Sequence, residues 1–121
     1  MQDLVIRIIF ILGNLTAKNN QAREQFFKEE GSVNTLMSLF QTYHELDLKE
    51  EKWYHERGRE EKKNPQHPSK AEDVLIKLIR VLAYLSIHPS VGAALAAAHH
   101  VVELLVTVLG NQIYVVCVIF I

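Results

Sequence analysis

Apolar residues recur at helical spacing along most of the chain. Leu4, Ile8, Ile11, Leu12 and Leu15 trace one helix, while Val5, Ile6, Ile9 and Phe10 make its other faces apolar too, with Arg7 as the lone polar residue of 4–12. A helix that is greasy on every side is expected to be buried between neighbours. Asn19 and Asn20 interrupt the pattern, 21–28 reads as a short helix with Phe26 and Phe27 on its apolar side, and Gly31 sits where a helix C-cap belongs. From Ser32, a favoured N-cap residue, Val33, Leu36, Leu39 and Phe40 carry another amphipathic helix. Three helices are thus predicted before residue 45.

Residues 46–70 change character, crowded with Lys, Glu and Arg and ended by Pro65 and Pro68, which predicts a solvated, flexible insertion. Ser69 with Glu72 resembles a capping box, and Val74, Leu75, Leu78, Ile79, Leu82 and Leu85 then form a strong apolar stripe from about Ala71. His88-Pro89 ends that helix, because a residue before proline is pushed out of the helical region. A short helix over 91–98 and a longer one over 101–109 follow. The segments are therefore 1–45, the charged insertion 46–70, 71–110, and an apolar, β-rich tail 111–121.

Laying the chain on itself reveals a repeat. An offset of 70 sets Leu4-Val5-Ile6-Arg7-Ile8-Ile9 over Val74-Leu75-Ile76-Lys77-Leu78-Ile79 and carries Leu12, Leu15 and Thr16 onto Leu82, Leu85 and Ser86. At an offset of 69 the residues from Val33 overlay those from Val102. Removing the 25 residues of the charged insertion from 70 leaves 45, within the roughly 40–47-residue period of two- and three-helix solenoid repeats.

Composition narrows the function. Thirteen basic against fourteen acidic residues leave a formal net charge of -1, so no global field draws the chain to nucleic acid or anionic lipid. One cysteine, Cys117, cannot build a disulfide framework or a multi-cysteine metal site, which favours a reducing compartment, the cytoplasm. The apolar run 4–12 lacks the layout of a signal peptide, and neither it nor 113–121 reaches the roughly 20 apolar residues of a membrane span. The chain reads as soluble, and the Asn14-Leu15-Thr16 sequon is discounted in a helical stretch.

Ile11-Leu12-Gly13-Asn14-Leu15-Thr16, then Asn19-Asn20-Gln21-Ala22-Arg23 and Glu30-Gly31-Ser32-Val33, resembles the third helix of an armadillo repeat running into the next repeat. The resemblance covers 4–45 most closely and 71–109 less tightly. It implies an all-α, right-handed superhelix of about two partial repeats, interrupted by a disordered charged insertion, and a scaffold that binds proteins without catalysing a reaction. The family member most like this chain implies a part in assembling the axoneme of motile cilia and sperm flagella, with a place in the cytoplasm, cilium or flagellum. In armadillo proteins the third helices line a concave groove, where an asparagine clamps the main chain of a bound peptide beside an aromatic one turn earlier. That pair maps to Asn14 and Phe10. The next repeat departs from the pattern, with Arg80 and Tyr84 in the same places, and Arg7 and Lys77 complete the candidate groove.

Other chemistry is weakly marked. His44, His55, His67 and His88 read as single loop histidines, and the adjacent His99 and His100 point apart on a helix, so no metal ligand set is expected. Cys117 lies in an apolar run without an activating charge, and the five glycines are too scattered for a phosphate loop. No cofactor is expected. The alternative to a scaffold is a helical-bundle carrier or enzyme, which would have to gather Arg7, Asn14, Lys77, Arg80 and Tyr84 around a pocket. Exposed repeat ends and the 113–121 run are expected to promote self-association.

Overall fold

The computed structural model describes residues 2–57 and 70–111. These form six helices: α1 (Gln2–Lys18), α2 (Asn20–Lys28), α3 (Ser32–Arg57), α4 (Lys70–Leu85), α5 (Pro89–Ala97) and α6 (His99–Asn111), with no strand among the described residues. Short, long, long is the order α2, α3, α4, and α5 and α6 begin the series again. The fold of the described residues is all-helical, in the helix order that the armadillo resemblance implies.

The core forms where α1 packs on α4, α3 on α4, and α6 on α3. All six positions of the predicted 74–85 stripe are buried, joined by Ala71 and Val81. Phe40 of α3 is fully enclosed, and Val91, Leu95, Val101 and Val108 bring α5 and α6 onto the same cluster. Burial of so many branched side chains on one continuous seam is the main stabilising term, at about 1.5–3 kcal/mol for each full-sized residue.

Two expectations are corrected here. The third helix does not stop near residue 45: α3 continues through 46–57, so the start of the charged segment is helix rather than loop. Its inward stripe of Leu36, Phe40, Tyr43 and Asp47 keeps a four-three-four spacing across the expected boundary, and neither Pro nor Gly interrupts Ser32–Arg57. His44 is consequently a buried helical residue instead of a loop histidine. The rest of the insertion, the Ser69 cap and the tail after Asn111 lie outside the described residues. The second correction concerns α1. Its all-round apolar pattern does not lead to burial on all sides, because Leu4, Ile8, Phe10, Ile11 and Leu15 are exposed.

The turns also differ from their simplest reading. The α2 helix ends at Lys28 with Glu29 as its C-cap, while Gly31 takes φ 78 and its carbonyl accepts the Thr35 N–H and hydroxyl, both at 2.9 Å. Gly31 thus starts α3, and Ser32 is its first helical residue, not its cap. Pro89 occupies the first turn of α5, where its missing N–H costs nothing, and His88 before it is the N-cap.

Candidate functional site

The two helices that carry the candidate groove are neighbours. A methyl group built on Gly13 of α1 would stand 4.0 Å from the Val81 side chain of α4, an ordinary van der Waals contact, so this side of α1 is turned to α4. Arg7, Phe10 and Asn14 follow one another at spacings of three and four on α1, and Lys77, Arg80 and Tyr84 do the same on α4. Each trio therefore forms one strip on its helix. Arg7, Phe10, Asn14 and Arg80 are exposed, whereas Lys77 and Tyr84 are half-buried. Lys77 is held by the Asp73 carboxylate at 2.7 Å, one turn back, which lowers its freedom to meet a partner.

The junction that follows α1 sets where this strip ends. Thr16 is fully buried and donates its hydroxyl to the Leu12 carbonyl at 2.8 Å. Ser86, 70 residues later, donates to the Leu82 carbonyl at the same distance. Asn19 caps α2 by accepting the Ala22 N–H, and His88, 69 residues on, caps α5 by accepting the Val91 N–H through Nδ1. The sequence repeat is thus reproduced in the hydroxyl bond and in the cap, with the one-residue shift falling between α4 and α5.

Arg23 is the residue that sequence reading missed. It is buried on α2 and returns to the end of α1, where Nε donates to the Thr16 carbonyl at 2.6 Å and a terminal nitrogen donates to the Ala17 carbonyl at 2.7 Å. The other terminal nitrogen reaches Asn20 Oδ1 at 2.7 Å. The last carbonyls of a helix lack intrahelical donors and carry partial negative charge, so a guanidinium satisfies both needs. Its counterpart at offset 69 is Gly92, where an added methyl would sit 2.6 Å from the Ser86 carbonyl oxygen. One repeat fills this junction with a cation and the next closes it by direct backbone approach.

Between the first helices of the two repeats, Glu24 of α2 lies 3.7 Å from His88 Nε2 and 2.7 Å from Lys28. Lys28, through its hydrogen bond and charge, is the main reason the Glu24 carboxyl is held below the usual carboxylate range, with His88 adding to the effect. An open cleft of about 340 Å³ lies between the α2–α3 turn and α5, lined in part by Phe27, Gly31, Ala94 and Leu95. None of the six candidate residues lines it. Among the described residues no group of three or more His, Cys, Asp or Glu is placed to hold a metal ion, and no single helix is long and apolar enough to cross a membrane.

Comparison with known proteins gives three close relatives, all named armadillo repeat-containing protein 2. The human protein is 63% identical over 108 residues, which is 89% of this chain and 12% of that protein. The Bos taurus protein is 60% identical over 111 residues, 92% of this chain and 13% of its own length. The Mus musculus protein is 51% identical over 114 residues, again 92% of this chain and 12% of its own. The chain therefore spans about an eighth of the relatives it matches. No family model matches it, and neither does any solved structure.

Proposed function

We propose that this chain, which belongs to the armadillo repeat family through its close match to one segment of armadillo repeat-containing protein 2, acts as a non-catalytic scaffold that holds another protein against its stacked helices. The observation that carries the reading is the pair of register-equivalent strips, Arg7-Phe10-Asn14 on α1 and Lys77-Arg80-Tyr84 on α4, on two helices in contact. Such strips offer an amide, two rings and guanidinium groups on a rigid support, which suits an extended segment whose backbone needs donors and acceptors and whose carboxylates can meet arginine. Function here rests on surface shape and not on a reacting group.

The finer part of the proposal is a role in assembling the axoneme of motile cilia and sperm flagella, with the chain located in the cytoplasm, cilium or flagellum. Its support is the sequence resemblance alone. The test is capture of proteins from ciliated-cell extract on the immobilised chain, compared with a chain carrying Asn14→Ala and Arg80→Ala, with mass spectrometry of both eluates. The double variant should keep its helical circular dichroism and lose captured axonemal proteins. Equal capture by the two chains would remove the groove assignment, and an eluate without axonemal proteins would remove the ciliary one.

A further inference from the structure

We propose that His88 is a proton-operated link between the two repeats: neutral, it caps α5 through Nδ1, and protonated, it gives up that cap and holds Glu24 of α2 as a charged pair. The neutral geometry fixes the ring. Nδ1 accepts the Val91 N–H at 3.5 Å, so the single proton of a neutral imidazole sits on Nε2, which faces the Glu24 carboxylate at 3.7 Å. One side chain thus joins the start of α5 to the first helix of the repeat before it. The His88 side chain is only 16% exposed, so the ring is held in this bridge and is not free in water.

Protonation cannot leave both contacts as they are. Both nitrogens of an imidazolium are donors, so Nδ1–H would point at the Val91 N–H and the cap is lost. A positive charge at the start of a helix works in the same direction. On the other side of the ring, Nε2–H gains from the carboxylate. Lys28, 2.7 Å from Glu24, is the main reason the Glu24 carboxyl is held below the usual carboxylate range, so Glu24 stays ionised while the ring takes up its proton. Among the described residues neither α4 nor α6 brings an ion pair to the ring.

The change is confined to the first turn of α5. The Gly92 N–H keeps its bond to the His88 carbonyl at 2.8 Å, and Val91 and Leu95 stay in the core, so the helix persists while its entry loosens. The preceding repeat carries its own control. There Asn19 accepts the Ala22 N–H at 3.1 Å through an amide oxygen, which does not titrate. Two junctions in the same register therefore answer differently to acid. None of the six groove residues takes part, so the inference goes beyond the scaffold reading.

The test is nuclear magnetic resonance of the 121-residue chain between about pH 8 and about pH 5, the range in which histidine changes charge. Nitrogen shifts of the His88 ring should show the proton on Nε2 at the upper end. Amide exchange, corrected for its intrinsic pH dependence, should show Val91 losing about fivefold in protection at the lower end, the size of one lost cap, while Ala22 is unchanged. In His88→Asn, which places at α5 the kind of cap that α2 already has, Val91 should hold its protection throughout. In Glu24→Gln the loss at Val91 should move to lower pH, because no carboxylate then favours the charged ring. A neutral ring protonated on Nδ1, equal losses at Val91 and Ala22, a loss that survives in His88→Asn, or a Glu24→Gln profile identical to wild type would each overturn the proposal.

Discussion

Arg23 Nε donates to the Thr16 carbonyl at 2.6 Å and so ties the second helix to the last turn of the first. Thr16 is itself fully buried and spends its hydroxyl on the turn behind it, so its carbonyl depends on the guanidinium for a donor. The short α1–α2 connection is thereby fixed by a side chain seven residues away, without any special backbone conformation.

Arg23→Met should lower stability by about 2 kcal/mol, because methionine keeps the apolar stem but leaves the Thr16 and Ala17 carbonyls without a charged donor. Arg23→Lys should recover only part of the loss, since an ammonium cannot reproduce the planar fork. Urea denaturation of the three proteins measures the order, and equal midpoints for wild type and Arg23→Met would contradict it.

Leu15 and Leu85 occupy the same repeat position with opposite surroundings, 55% and 0% exposed. Leu85→Ala is expected to cost about 3 kcal/mol through lost burial and an unfilled cavity, and Leu15→Ala under about 1 kcal/mol in this chain. Thermal melts of the two variants side by side test the assignment.

Two glycines have different reasons to resist substitution. Gly31→Ala should cost about 1 kcal/mol, because φ 78 is strained for a residue with a Cβ although open space surrounds it. Gly92→Ala should cost about 2 kcal/mol or more, since the new methyl meets the Ser86 backbone. Gly31→Asn ought to be milder than Gly31→Ala, while Gly92→Asn ought to be worse than Gly92→Ala.

Glu24 gives a small acid dependence. Its folded carboxyl is held below the ordinary range, so its contribution is present above the unfolded pKa and is lost as pH falls through the lower folded one. Melting temperatures measured from neutral pH down through the carboxylate range should fall slightly less for Glu24→Gln than for wild type. Because the pair with Lys28 is solvent-exposed, added salt should shrink the difference.

How much of this was legible depended on contrast within each helix. The α4 stripe alternates with Lys77 and Arg80, so its inner face could be read directly, and every stripe position is buried. In α1 the apolar residues surround the helix, and periodicity cannot choose which of them meet the core; the structure buries Ile9 and leaves Ile8 in water. Charge density after residue 45 signals loop, whereas Tyr43 and Asp47 continue the buried spacing set by Leu36 and Phe40 and carry α3 onward. The strip at Arg7-Phe10-Asn14 is what the armadillo resemblance implies, and the repeat register carries it onto Lys77-Arg80-Tyr84. Nothing local to Arg23 marks it as the clamp on α1, because its acceptors belong to main-chain atoms of another helix.

The two inter-helix junctions have an engineering consequence. Although the repeats share register, caps and hydroxyl bonds, they are not spare parts for one another. A chimera that moved Gly92 into the place of Arg23 would open a hole beside two bare carbonyls, and the reverse exchange would drive a guanidinium into the Ser86 backbone. Shuffling or lengthening this array therefore requires cutting within helices and moving each junction whole, with the end of one helix and the start of the next kept as a single inherited piece.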